Sequence, residues 1–286
     1  MLELILICIG TFFLGALSGK LLAARGITAD NALENHQKPL IWIIVGLGLV
    51  IAILLIIDNF NLAGLLPKIF PSIILIYFAG YLHHLIIGFG FFTFGLLLLL
   101  ELSGKRSRQR MFQLIISLGA IACALSILFV FLRPVNHLIG AAKIIDDVVW
   151  QTTAYTCAPS SIATLGRHSK INPNSTEKEV VKLTKTNRFG TTTLAEIRAM
   201  EKLALKPEYR HNLDLNDLLE LNKLALLHVK EVNPKNGNKF SHAVALLLID
   251  PTEKVVIIGN PLYGIQIKTF ASMDDYWLGE AILVNG

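Results

Sequence analysis

Four residues in the polar C-terminal half, Gln151, Cys157, His242 and Asn260, have the types and the order that amide-bond chemistry needs. A thiol attacks a carbonyl once its proton can leave, and an imidazole can take that proton and return it to the departing amine. One side-chain amide can hold the imidazole in orientation, and another can donate to the oxyanion that forms on the attacked carbonyl. Cys157 is alone in this half. Cys8 and Cys123 fall inside apolar blocks, where cysteine packs as a small hydrophobe, so no disulfide framework is expected. Polar residues precede Cys157 and an apolar periodic run follows it, which predicts a helix starting at the cysteine with Pro159 in its first turn. Backbone N–H groups and the positive end of the helix dipole then favour a thiolate and a lowered thiol pKa.

The elements that must carry these residues read as helices followed by strands. Thr176 caps a helix with Glu179 three residues on, and the turn Phe189-Gly190-Thr191-Thr192 leads into a second helix over 194–203. Short apolar runs over 225–230, 243–250 and 254–259, separated by turn residues, predict buried antiparallel strands and an α+β domain. His242 stands just before one of these strands and Asn260-Pro261 just after the next, so adjacent antiparallel pairing brings His242 beside the thiol and Asn260 behind the imidazole. His228, flanked by apolar residues in mid-strand, is read as packed, Trp277 as filling a core pocket, and His168 and His211 carry no assigned role.

The first half is built for a different solvent. Hydrophobic residues make up 53% of the chain and charged residues 16%, and most of the charge lies beyond Arg133. A bilayer core about 30 Å thick needs roughly 20 apolar residues in a helix. Blocks 2–24, 40–57, 71–100 and 112–132 meet that need and predict a bundle of about four spans. The third is long enough to tilt strongly, or to break near Gly80 or Gly88–Gly90. The first lacks a positively charged lead, so it is read as a retained span. His83 and His84 in the third block are read as neutral imidazoles facing helix partners, with no metal assigned.

Lys105, Arg106, Arg108 and Arg110 make the connector after the third block basic, and short basic connectors stay on the cytoplasmic side. The segment after Arg133 is therefore expected on the non-cytoplasmic face, where an oxidising environment threatens a free thiol. The expected organisation is a transmembrane helical region over 1–133, a juxtamembrane linker over 134–149 and a soluble domain over 150–286. The net charge of +5 is scattered, with no basic stripe interleaved with aromatics, so nucleic acid is not an expected partner.

In the soluble half these residues resemble the double-glycine leader peptidases, papain-like domains that trim bacteriocin precursors and usually head peptidase-containing ABC exporters. The resemblance rests on Gln151 six positions before Cys157, on Cys157-Ala158-Pro159, on His242 opening a strand, on Asn260-Pro261 after the next, and on the closing Trp277-Leu-Gly279-Glu-Ala281. It covers about the last half of the chain, including the Thr176-Glu177 helix and the Gly190-Thr191 turn. It implies a papain-like cysteine peptidase with an antiparallel sheet, with Cys157 as nucleophile, His242 as general base and acid, Asn260 as orienting group and Gln151 as oxyanion donor. No cofactor is implied.

The chain departs from the family in three ways. Ala158 replaces the usual Gly, which would strain a turn needing positive φ; Asn260 replaces the usual Asp, removing a negative charge; and no Gly-x-x-x-x-Gly-Lys-Ser/Thr phosphate loop appears. The reading is a cysteine peptidase anchored in a bacterial inner membrane, with a polypeptide substrate, the lipid bilayer and a separate exporter or membrane protein as its partners. Two other classes compete: a catalytically silent peptide-docking domain for an export or assembly system, and a transporter with an appended regulatory domain.

Overall fold

The computed structural model describes residues 2–28, 42, 45–50, 52–53, 72–103 and 107–286. Internal contacts divide the chain into two compact units, and Phe131–Gly286 forms the bulk of the second.

Among the described residues, three long helices make up most of the first unit: α1 (Leu2–Ala24), and all but the ends of α2 (Ser72–Leu102) and α3 (Ser107–Leu132). Each contains a stretch long and apolar enough to cross a membrane, Glu3–Ala24, His84–Leu102 and Ile115–Leu132. Most of the expected span at 40–57 lies outside the described residues. The long third block is one unbroken helix of 31 residues, about 46 Å at 1.5 Å per residue, and is not interrupted at Gly80 or at Gly88–Gly90. The basic connector is shorter than expected, because α3 already begins at Ser107 and takes Arg108 and Arg110 into its first turn.

Helices α1 and α2 meet through glycines. A Cβ on Gly15 would lie 2.0 Å from the Phe92 carbonyl oxygen, one on Gly19 2.6 Å from that of Leu96, and one on Gly95 2.2 Å from that of Phe12. Gly15 and Gly19 are four residues apart, the small-residue spacing that lets two apolar helices bring their backbones together where no hydrophobic effect drives them. Gly95→Ala is therefore expected to force the pair apart and cost about 1–3 kcal/mol, the usual penalty of overpacking. Gly10→Ala, where a Cβ meets nothing within 4 Å, stays within about 0.5 kcal/mol. Thermal unfolding of the two variants in detergent checks the contrast.

The second unit opens with a 3-10 turn at Val135–His137 and a hairpin, β1 (Lys143–Ile145) and β2 (Val148–Trp150). Asp146 and Asp147 both have positive φ, 51° and 59°, as a two-residue hairpin turn matching strand twist requires. The stretch 134–149 is thus folded structure and not a linker: Val135, Val148 and Val149 are fully buried, and the Val135 N–H donates to the Thr186 carbonyl at 2.9 Å. Helices α4 (Cys157–His168), α5 (Glu177–Thr184) and α6 (Thr193–Lys202) follow, with the Thr176 and Thr192 hydroxyls capping the last two.

Beyond them comes a six-stranded sheet with every pair antiparallel, in the order β3-β8-β4-β5-β6-β7. Its strands are β3 (Pro207–Arg210), β4 (Ala225–Val232), β5 (Lys239–Asp250), β6 (Val255–Asn260), β7 (Gly264–Thr269) and β8 (Trp277–Val284). Two short helices, α7 (Leu215–Leu221) and α8 (Phe270–Tyr276), lie between strands. Because side chains alternate across a strand, each face of the sheet has its own core. On one face Ile162 and Leu165 of α4 pack with Leu226, Ala243 and Ala245; on the other Val229, Val244, Leu246 and Ile258 pack with Leu218, Met273 and Tyr276.

Candidate active site

Cys157 is the first residue of α4 and is half-buried, with its side chain against the first of these cores. The cap residue before it, Thr156, does not cap through its side chain. Its hydroxyl donates instead to Glu177 Oε1, which also accepts the Thr152 N–H at 2.9 Å. Glu177 is buried, so one carboxylate from α5 holds both ends of the 152–156 loop that leads into Cys157. Ala158 lies within the helix and is not among the residues with positive φ, so the Ala-for-Gly exchange strains nothing.

The thiol is not activated as the helix start alone suggests. Burial raises its pKa above the ordinary 9.0, and Glu196 adds to the rise; the backbone hydrogen bonds at Ala243 and Ala158 and the charge of His228 pull the other way without reversing it. Desolvation outweighs the helix terminus here.

His242 lies on β5 next to Ala243, whose backbone the thiol reaches. It is buried, and its Nε2 lies 3.1 Å from Asn260 Oδ1. Burial pushes the imidazole below its ordinary 6.5, against the hydrogen bond it gives to Asn260 and the charge of Glu231. Asn260 closes β6 and is fully buried. Its Oδ1 also accepts the Leu262 N–H at 2.9 Å, and its Nδ2 donates to Glu231 Oε2 at 2.7 Å and to Gln266 Oε1 at 3.1 Å. The histidine and asparagine are thus brought into direct contact, but no hydrogen bond joins the thiol to the imidazole, so the expected placement of His242 beside the thiol is not formed as a contact.

Gln151 is tied to the same corner, its N–H donating to the Pro261 carbonyl at 3.0 Å. Its Nε2 donates to the Thr153 carbonyl at 2.8 Å, which leaves its second amide hydrogen available, and its Oε1 is buried without a partner among the described residues.

No protein-family model and no curated protein matches the chain. Solved structures do. The peptidase domain of Streptococcus ComA, a bi-functional ABC transporter involved in a quorum sensing pathway, is 24% identical, with 47% of this chain and 94% of that one covered and a TM-score of 0.38. The Streptococcus mutans ComA peptidase domain is also 24% identical, covering 49% of this chain and 99% of that one at a TM-score of 0.35. A double glycine motif protease from an AMS/PCAT transporter, solved in complex with its leader peptide, is 19% identical over 51% and 91% of the two chains, with a TM-score of 0.37.

Two sets of residues around the site were not singled out from sequence. Glu177 and Glu231 support the loop before Cys157 and the amide of Asn260, each through buried hydrogen bonds. The third buried carboxylate, Glu196 of α6, accepts from His228 Nε2 at 2.9 Å, while Glu280 of β8 meets His228 Nδ1 at 3.1 Å. His228 is therefore not simply packed among apolar neighbours. Burial opposes its charge, but Glu196 and then Glu280 outweigh that and raise its pKa well above 6.5. Held between two carboxylates, it fastens α6 and β8 to β4 and has no ring nitrogen left to serve as a base.

Proposed function

We propose that this chain is a membrane-anchored cysteine peptidase that cleaves a polypeptide by a Cys157-His242-Asn260 mechanism. The observation that carries the reading is a half-buried cysteine opening a helix in the same unit as a buried histidine whose Nε2 is held by an asparagine amide. With Nε2–H given to Asn260, the lone pair of His242 Nδ1 is the base.

Because burial raises the thiol and lowers the imidazole, the pair rests neutral. Substrate binding draws sulfur and nitrogen into hydrogen-bond contact, as catalytic contacts that are loose in a free enzyme commonly tighten. Sγ attacks the peptide carbonyl while its proton passes to Nδ1; the Cys157 N–H and the remaining Gln151 amide hydrogen stabilise the oxyanion. The imidazolium returns the proton to the departing amine, leaving a thioester. Water, deprotonated by the same nitrogen, then releases the acid and restores the thiol.

A panel of short peptidyl vinyl sulfones, including peptides ending in Gly-Gly, tests this on the full chain in detergent. Such a probe needs both a thiolate and a proton donor. Mass spectrometry is expected to find the adduct on Cys157, formed roughly 10²- to 10⁴-fold more slowly in His242→Ala. Equal labelling of the two proteins would show a polypeptide-binding module instead of a peptidase.

A further inference from the structure

Asn260 has no charge of its own to offer an imidazolium, yet its amide is fully committed. Both its Nδ2 hydrogens and both its Oδ1 lone pairs are used, by Glu231, Gln266, His242 and Leu262. An asparagine amide can face either way, and what decides here is Glu231. A carboxylate only accepts, so Nδ2 must point toward it and Oδ1 toward His242. Oδ1 only accepts in turn, so His242 Nε2 must carry the proton and Nδ1 must be bare. The orientation of one buried carboxylate thus propagates through two side chains to the base.

Glu231 is built to stay in place. It is 5% exposed on β4, and its Oε2 also accepts from the Tyr276 hydroxyl at 2.8 Å while its Oε1 accepts the Val232 N–H at 3.2 Å. Glu231, His242 and Asn260 come from three neighbouring strands, β4, β5 and β6, and by alternation share the face of Val229, Val244 and Ile258, opposite the face on which α4 packs.

We propose that Glu231 is a positioning residue that acts through Asn260, fixing the tautomer of His242 and supplying from one side chain further back the negative charge that steadies the imidazolium. The proposal rests on the peptidase reading for its catalytic meaning, but its electrostatic content can be tested without catalysis. Glu231→Gln keeps the shape while removing the charge, one of the two acceptor oxygens and with them the fixed direction. Asn260→Asp in the wild-type background sets two carboxylates face to face. The double variant Glu231→Gln/Asn260→Asp moves the single charge one side chain closer to His242.

Full-length protein labelled with 15N-histidine, with His242→Ala to assign the signal, is titrated by NMR, and vinyl sulfone labelling is timed in parallel. In Glu231→Gln the His242 midpoint is expected to fall, both neutral tautomers to appear, and labelling of Cys157 to slow on the order of tenfold to a hundredfold, as when a supporting partner behind a functional ligand is lost. In the double variant the midpoint rises again and labelling recovers at least tenfold over Glu231→Gln. An unchanged midpoint and a single tautomer in Glu231→Gln, or a double variant no better than either single one, would overturn the proposal. If wild type shows no His242-dependent labelling, the peptidase reading fails, and the tautomer and midpoint still decide whether Glu231 governs His242.

Discussion

Cys157→Ala is expected to lower peptide hydrolysis on the order of 10⁵- to 10⁶-fold, the loss typical of removing a nucleophile from an intact site, while the protein unfolds at nearly its normal temperature. The second half of the expectation follows from the position. Residue 157 is at the start of α4, only partly packed against the core, and Ala is the best helix former, so the lost sulfur is nearly offset. Mass-spectrometric scanning of a peptide library, with thermal unfolding as the control, reads both. The wild-type pH profile carries a sign that can be worked out in advance. His242 must be neutral to accept a proton, and burial holds its pKa below 6.5, so the acid limb of hydrolysis lies below pH 6.5. The thiol ionises only above 9.0, so no alkaline step is expected before that pH. Hydrolysis that persists in Cys157→Ala, or an acid limb centred above 7, would contradict the mechanism.

The largest effect on stability is expected from His228→Ala. Removing the imidazole leaves Glu196, 2% exposed, and the mostly buried Glu280 facing a cavity with no cation between them. Breaking a buried pair in this way typically costs about 3–5 kcal/mol, because an uncompensated charge remains. The pH dependence separates the charge from the packing. The folded pKa of His228 is raised, so its contribution is complete below the unfolded value of 6.5 and disappears as pH rises through the folded value. Burial works against the Glu280 carboxylate, but the hydrogen bond and charge of His228 lower its pKa below 4.5, so its share is present above 4.5 and is lost as pH falls through the lowered value. Wild type and His228→Ala should therefore differ most between pH 4.5 and 6.5 and converge toward alkaline pH. Denaturant unfolding followed by tryptophan fluorescence at pH 5.5, 7.5 and 9.5 measures the gap. A gap constant with pH would mean that only packing was lost.

What the sequence discloses about this molecule follows the range of the interactions involved. Local signals are legible: Thr176 does accept from the Glu179 N–H, α4 does start at Cys157, the apolar runs at 225–230 and 243–250 do lie within strands, and that at 254–259 does so but for Lys254, which closes the turn before β6. So is the pairing of His242 with Asn260, because two strands joined by a short turn must align their ends. The hairpin at Asp146-Asp147 and the capping box at Asp214 and Asp217 are equally local, and were available from turn and cap chemistry. Glu231 and Glu196 are a different case. Each is an ordinary charged residue in an ordinary amphipathic context, and only sheet register and helix docking, 29 and 32 residues apart in sequence, turn it into a buried partner. The thiol pKa belongs with them, since a helix start can be read from the chain but the depth of its burial cannot.

That burial has a further consequence for a cysteine with no disulfide partner. Peroxides and disulfides react with the thiolate, and a thiol held above 9.0 is less than about 1% ionised at pH 7. Sulfenic acid and mixed disulfides should therefore form slowly at Cys157 in the resting protein, in an oxidising compartment as in a reducing one. Reactivity would appear only for the interval in which a bound peptide draws the imidazole onto the sulfur. The domain would gain its resistance to oxidation kinetically, by leaving the thiol unarmed between turnovers.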